Sequence, residues 1–361
     1  LVEEGALDLD APVKTFIDDF RLPDSGAEAA VTIRHLISMS AGIDNGPYEA
    51  HGRGDDALEQ YVASLAEIPV IFQPGTAFGY SNASTNISGL AAQRVKGQNW
   101  ETLLMEKVLK PIGLVQSAMF PEDLLYHPVA LGYGYAPGAE QPQRIPYWGL
   151  PRSMAPAGAS LCCSAGDLVR FARTFLWDGK SAEGQQVISP AGVEHMHSPQ
   201  VTLPNRVMAH KWCMGPYFKE WDGQPIYGHS GTNTGGSSML LWCPSKNFAI
   251  ATISNVASQG YPFADKIFNT VFPDVFGVNK PAKPDPETAQ RVAVDLTPYA
   301  GRFEAWGQRR EFSIEDGRLM ARVFYGEQPE PVMGAELIPL GGKRFLPADP
   351  VMSGNRGWDV A

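Results

Sequence analysis

A chain of 361 residues, 44% hydrophobic and 19% charged, has the material for a large core, which excludes a peptide-sized module and a wholly disordered chain. The formal charge of −10 opposes binding to nucleic acid or to anionic lipid, since both need a basic face. Four cysteines, two of them adjacent at Cys162 and Cys163, make neither a disulfide framework nor a C-x-x-C zinc pair. No apolar run reaches the ~20 residues of a membrane-spanning helix.

Thirty prolines and 37 glycines predict many turns and argue against an all-helical chain. Residues 1–4 read as a helix end stopped by Gly5. Residues 31–37 read as a helix start, broken at Ser38-Met-Ser-Ala-Gly42. Helical spacing follows at 56–66, with Leu58, Tyr61, Val62 and Leu65 on one face, and at 84–95, with Ile87, Leu90, Ala91 and Val95. A further helix is predicted over 100–109, ending at Pro111. Residues 164–177 give the clearest amphipathic helix: Ser164 is a fit N-cap, and Leu168, Phe171, Ala172 and Phe175 line one stripe.

Beyond residue 225 the pattern changes to strands at 226–229, 237–243 and 248–254, the last two joined by a turn at 244–247, before a helix at 264–272. Helices covering an antiparallel sheet define an α+β class. Residues 279–292 carry the prolines and alternating charges of a semi-rigid linker. Short strands at 299–303, 311–314 and 319–324 then predict a small all-β domain over 293–361. The expected division is therefore 1–278, 279–292 and 293–361.

Two clusters are candidates for chemistry. In Pro74-Gly-Thr-Ala-Phe-Gly-Tyr80-Ser81-Asn82 a Pro-Gly turn leads through a loop to a helix start, so Tyr80 and Asn82 can face one cavity. In Gly228-His229-Ser230-Gly231-Thr232 the absence of a side chain at Gly231 lets a ligand approach the backbone. Taken singly, each is most simply a packed ring with a turn-forming amide, or a turn. The second is not a G-x-S-x-G nucleophile elbow, because Thr232 closes it and another strand follows. His195 and His197 at i, i+2 do not share a helix face and read as surface or core residues rather than metal ligands. His210, Trp212, Cys213, Tyr147, Trp148 and Tyr217 are candidate pocket walls that packing explains equally well.

Taken together and in order, five stretches resemble the serine β-lactamase and penicillin-binding-protein family in its class C, DD-peptidase and esterase-like branch. They are residues 1–13 (LVEEGALDLDAPV), similar to the segment just after that family's first catalytic helix, Val31-Thr-Ile-Arg-His-Leu-Ile-Ser-Met-Ser-Ala-Gly-Ile43, the Tyr80-x-Asn82 element, Ala155-Pro-Ala-Gly158 with Ser164-Ala-Gly-Asp-Leu168, and Gly228-His-Ser-Gly231. The likeness extends over most of residues 1–280. It implies a helical region packed on an antiparallel sheet. It also implies hydrolysis or transfer of an ester or amide acyl group through a serine ester, on a small-molecule or peptide substrate with no cofactor and no metal.

Carried onto this sequence, the resemblance makes Tyr80 the proton-transfer partner, as a phenolate where nearby cations lower its pKa. Asn82 bonds the substrate, and His229, standing where the family more often has lysine, gives a positive or donor edge. The backbone N–H of Thr232 forms half of an oxyanion hole, Ser230 and Gly231 on the same strand are substrate-binding residues, and Ser81 is a wall residue or a hydroxyl near the lysine. The family's Ser-x-x-Lys occurs nowhere in the 361 residues. In the family it lies shortly before the segment that opens this chain, so nucleophile and lysine are expected upstream of Leu1. The rival expectation is a non-catalytic binding or sensor relative that keeps the cleft. Leu296-Thr-Pro-Tyr-Ala-Gly-Arg-Phe-Glu304 and Glu315-Asp-Gly-Arg-Leu319 resemble an appended lipocalin-like domain, too short here for a closed eight-stranded barrel and so expected to be truncated. Relatives are often exported, which points to a periplasmic or secreted protein.

Overall fold

The computed structural model describes residues 1–349 apart from 136–138, 148, 150, 204–207, 234, 283 and 284. Its contacts divide the chain into two units, Leu1–Val201 with Lys211–Lys280, and Thr202–His210 with Pro281–Ala361. The expected wall residue Trp148 and the last twelve residues of the expected β domain lie outside the described residues.

In the first unit, helices α1 (Ile33–Ile37), α2 (Ala57–Ser64) and α3 (Asn82–Lys96) each bury one stripe. Ile33 and Leu36, then Leu58, Tyr61 and Val62, then Ile87, Leu90 and Ala91 meet in one cluster, which the turn-rich opening segment completes with Leu7, Val13, Ile17 and Phe20. The expected helix end at 1–4 is a turn instead, since so short a segment does not offset the cost of helix nucleation. Helix α4 (Trp100–Leu104) runs on through a π turn, Met105–Leu109, and a last turn, Lys110–Ile112. It was expected to stop at Pro111. Pro111 lies in that last turn, and the helix ends one residue beyond it at Ile112, where Gly113 at φ +78° closes it.

Helix α5 (Ala165–Leu176) is capped by Ser164, whose side chain accepts from the Asp167 N–H. Helix α6 (Pro190–His197) follows. A six-stranded sheet comprises β1 (Val201–Thr202), β2 (Lys211–Trp212), β3 (Tyr217–Trp221), β4 (Gln224–Asn233), β5 (Gly236–Cys243) and β6 (Phe248–Ser254), laid side by side in chain order. Neighbours from β2 to β6 are antiparallel. The stripe on α5 packs on Leu240, Trp242, Ala249 and Ala251, with Phe175 stacked on Trp242 at 5.3 Å.

Helix α7 (Ala257–Phe276) covers the opposite face, where Phe272 meets Trp221 at 4.9 Å and Phe248 at 5.3 Å, consistent with the alternation of side chains along a strand. This helix is longer than the predicted 264–272 because it passes through Pro262 and Pro273, the residues that hid its length. Gly260 permits its close seat: a Cβ there would lie 1.6 Å from Ser237 Oγ on β5.

The second unit holds a five-stranded meander, β7 (Gly301–Ala305), β8 (Gln308–Glu315), β9 (Arg318–Tyr325), β10 (Met333–Gly341) and β11 (Arg344–Pro347), in chain order and antiparallel. One face buries Phe312, Leu319, Ala321, Leu337 and Phe345, with Tyr299 packed beside them. The first strand starts at Gly301 rather than 299, because Thr297–Tyr299 forms a 3₁₀ turn.

His197 is half-buried against the core: the Trp242 Nε1–H donates to its Nε2 at 2.9 Å and its ring stacks on Tyr227 at 4.0 Å. Burial pushes its pKa down to about 4, so the unfolded chain takes up this proton more readily than the folded one. The stability tied to neutral His197 is therefore full above about pH 6.5 and is lost as pH falls toward 4. In thermal melts between pH 7 and 4, His197→Gln is expected to flatten the acid loss of Tm. A wild-type slope retained in the variant would assign the acid sensitivity elsewhere. Gly260→Ala is expected to lower stability by about 1–3 kcal/mol through overpacking against Ser237, read as a fall in Tm at pH 7.

Candidate active site

The loop bearing Tyr80 is stitched to the loop that follows α1. Gly75 N–H donates to the Ser40 carbonyl at 2.8 Å and Gly79 N–H to the Met39 carbonyl at 2.8 Å. Met39 itself has φ +57°, a left-handed backbone that a non-glycine residue rarely adopts. Beside it, Gly42 at φ +77° leaves no room for a side chain, since a Cβ would fall 1.8 Å from the Phe72 carbonyl oxygen. Ser81 N–H reaches Met39 Sδ at 3.4 Å, and Ser81 Oγ donates to the Asp44 carbonyl at 3.0 Å while accepting from the Ser84 N–H at 3.0 Å. Asn82 N–H donates to Asn45 Oδ1 at 2.9 Å, and Asn82 Nδ2 donates to the Tyr48 hydroxyl at 2.7 Å. Tyr80 is thus held from both flanks.

Its ring enters an aromatic cluster with the head of the sheet. Tyr80 meets Trp212 edge-on at 5.7 Å and His229 at 6.2 Å. Trp212 stands perpendicular to His229 at 5.5 Å, and Tyr217 stacks on the other side of the cluster, 6.2 Å from His229. Phe78 covers Trp212 at 5.5 Å. Trp212 is buried, and its indole N–H is without a partner among the described residues. Tyr80 keeps 36% of its surface exposed while the rest of the ring lies in the cluster.

That packing sets the electrostatics. Burial, with lesser contributions from Tyr48 and Tyr261, pushes the Tyr80 phenol up to about 12. Burial likewise holds His229 below the ordinary imidazole value, a backbone hydrogen bond with Ser230 working weakly the other way. The lowered imidazole favours its neutral form, which keeps the donor part of the expected positive or donor edge at His229. Burial and the neighbouring tyrosines favour the phenol form of Tyr80 over the phenolate, which the expectation tied to nearby cations.

Strand β4 supplies the other wall. Its residues 224–228 pair with β3, but its pairing with β5 continues to Asn233. Among the described residues, the segment from His229 to Asn233 therefore has a strand neighbour on one side only. In an antiparallel strand alternate residues aim their N–H and C=O at the same edge, so this stretch presents backbone groups to whatever lies along it. Thr232 Oγ1 donates to the Tyr261 hydroxyl of α7 at 2.8 Å, fixing the strand end to the helix. The space at Gly231 is taken by its own neighbour, since a Cβ would sit 3.0 Å from Ser238 Oγ.

Tyr80, Asn82 and His229 thus belong to one locality, and Thr232 joins it through Tyr261, whose charge would act on Tyr80. Ser230 is half-buried on the same strand. Ser81, expected on the wall, lies beneath the site: it is 1% exposed with its hydroxyl engaged twice as a helix cap. Tyr217 and Cys213 are buried behind the cluster, Tyr147 is exposed, and His210 belongs to the other unit. Sequence reasoning missed Tyr48, Asn45 and Tyr261. The only signal for the first two is their position just after the Ser-Ala-Gly-Ile43 break, and Tyr261 was hidden in a helix whose start was placed too late.

The family model described as Beta-lactamase matches residues 1–268. The chain is 33% identical to "Penicillin-binding protein 4" of Amycolatopsis lactamdurans over 310 residues, 85% of this chain and 80% of that protein. Among solved structures it is similar to SurE, with TM-score 0.73 and 23% identity over 96% of this chain and 75% of SurE. It is also similar to a D-stereospecific amidohydrolase from Streptomyces sp., with TM-score 0.59 and 19% identity over 77% and 82%. At these identities the two structures show the shared fold.

Because Ser81 acts from below, Ser81→Ala is expected to lower stability by about 1–2 kcal/mol through loss of the cap. A Tm equal to that of the wild type would show that the Asp44 and Ser84 contacts do not anchor the loop.

Proposed function

The chain belongs to the β-lactamase family, and from that premise we propose that it takes part in acyl transfer from an ester or amide, using a serine and lysine supplied by a segment outside residues 1–361. The observation that carries this reading is the meeting of Tyr80, two residues before Asn82, with His229 on a strand whose segment from 229 to 233 has one strand neighbour among the described residues.

In this scheme the serine oxygen attacks the carbonyl carbon, and the lysine amine takes the serine proton. The carbonyl oxygen gathers charge and is met by the Thr232 N–H on the open edge of β4. Tyr80, a neutral phenol, passes a proton to the departing oxygen or nitrogen and is reprotonated from the lysine ammonium. The C–O or C–N bond breaks and a serine ester remains. Water, or an amine, then attacks this ester with the same groups working in reverse. His229 contributes a neutral donor or acceptor edge and keeps Tyr80 in place through the shared cluster. The relatives' names add a direction for the substrate: the name of the D-stereospecific amidohydrolase favours an acyl group bearing a D-configured residue, and that of the penicillin-binding protein a penicillin as a probe. Within the same reading, the meander of the second unit is the lipocalin-like appendage.

The test is covalent labelling of the full-length protein with a fluorophosphonate and with a penicillin, read by intact mass, and turnover of p-nitrophenyl esters. One adduct on a single serine, and a fall of about 10²-fold or more in kcat for Tyr80→Phe with Tm retained, are expected. Absence of any adduct and of any turnover would favour a binding relative that keeps the cleft, and an unchanged kcat in Tyr80→Phe would remove Tyr80 from the proton path.

A further inference from the structure

Strand β7 is an edge of the five-stranded meander: among the described residues it has a strand neighbour, β8, on one side only. Every residue from Gly301 to Ala305 is exposed. Trp306 and Gly307 alone join β7 to β8, and Ala305 stands opposite Gln308 at the turn. The closing pair of a two-residue hairpin exchanges its backbone hydrogen bonds, so Gly301, Phe303 and Ala305 aim their N–H and C=O groups at β8. Arg302 and Glu304 aim theirs at the open edge. Such a row of backbone groups is a template for another strand, and natural edges are guarded by prolines, bulges or charge. Here there is no proline, the register with β8 is unbroken, and the two charges are of opposite sign.

The side chains select the partner. On one face of the sheet Arg322 stands opposite Glu311, and Glu311 opposite Arg302, so that row reaches the edge on a cation. In the next row Arg309 stands opposite Glu304, which reaches the edge on an anion. A second β7, laid antiparallel about a two-fold axis at Phe303, sets its Glu304 against Arg302 and its Arg302 against Glu304, and both rows continue in alternating sign. Registers centred on 302 or on 304 set like charges opposite each other instead. Within one strand Arg302 Nε already donates to Glu304 Oε1 at 2.8 Å, but both side chains are 60% exposed, and an ion pair of that kind holds little and exchanges partners easily.

The other face agrees. Phe303 is 53% exposed, and its ring meets the buried Phe312 edge-on at 5.6 Å. In the register centred on 303 the two Phe303 residues form a pair without mutual hydrogen bonds, the kind that brings side chains closest in an antiparallel ladder. The apolar face of one meander then runs on into the other.

We propose that β7 is a homodimer edge, at which two copies of this chain pair antiparallel about Phe303 and join their meanders into one continuous sheet. No group of the candidate active site enters the argument, so the proposal stands or falls apart from the acyl-transfer reading.

The experiment is sedimentation equilibrium of the full-length protein over a range of concentrations at low ionic strength, where exposed charge pairs are least screened. The wild type is expected to dimerise. Arg302→Glu and Glu304→Arg are each expected to raise the dimer Kd by about tenfold or more, because each sets like charges together on both sides of the axis. An equimolar mixture of the two variants is expected to return to the wild-type Kd, since one carries only anions at these positions and the other only cations. The double variant Arg302→Glu/Glu304→Arg is expected to do the same. Each substitution also sets a like charge against β8, a cost that the mixture and the double variant share, so their recovery reads the pairing between copies; Tm checks the fold. A monomeric wild type, as when a further stretch of the full-length chain covers β7, overturns the proposal. So does a dimer whose Kd neither single substitution changes, or a pair of weakened variants that mixing does not restore.

Discussion

The site depends on the union of two loops, the one after α1 and the one before α3. Met39 at φ +57° is an unfavourable backbone that persists because its neighbours over-determine it. Its carbonyl accepts from Gly79 and its sulfur from Ser81, the residues on either side of Tyr80. Asn45 does the same for Asn82, with its side chain on that residue's N–H and its carbonyl on the Ala83 N–H at 3.1 Å. The start of α3 is thereby satisfied from outside the helix, by a loop side chain and carbonyl as well as by the Ser81 cap. Tyr80 and Asn82 are set by backbone geometry, and their side chains need little freedom to meet the sheet.

Neutrality is the second constraint. A phenol and an imidazole packed among Trp212, Tyr217 and Phe78 lose hydration in both charged forms, so burial moves one pKa up and the other down. A cation brought beside Tyr80 would lower its pKa. The departure from the family's more common lysine at position 229 fits this economy: an imidazole stacked on Tyr217 at 6.2 Å and facing Trp212 at 5.5 Å is a packing element as much as a polar one.

Much of this was legible in the sequence, for stated physical reasons. The stripe of Leu168, Phe171, Ala172 and Phe175 has a period that only a helix on a core satisfies, and that helix packs on β5 and β6. The β4–β5–β6 run was legible because alternation and a Pro-Ser-Lys-Asn247 turn leave few alternatives. Strands β10 and β11, and the short β2 and β3, were not read. The two residues of β2, the five of β3 and the four of β11 carry too little pattern, and the nine of β10 include Gly334, Pro339 and Gly341, which read as breakers. For the site, Tyr80, Asn82 and His229 could be named because they stand in short motifs. Tyr48 and Tyr261 could not: their roles come from a hydroxyl reaching across to another element, which spacing along the chain does not encode. Ser81 was misjudged for the converse reason, since a serine preceding a helix is first of all a cap.

The helix that seals the back of the sheet also shapes the mouth. Gly260 lets α7 approach β5 until its backbone sits over Ser237, and Ser237 is the cross-strand partner of Thr232 on β4. The next residue along the helix, Tyr261, then reaches Thr232 with its hydroxyl at 2.8 Å. A larger residue at 260 pushes the helix outward, and the first contact to lengthen is the one that holds the open end of β4. Close packing on one face and placement of the backbone edge on the other are therefore a single requirement, met by the lack of a side chain at one position. The end of β4 is held by the helix behind it through the Thr232–Tyr261 contact.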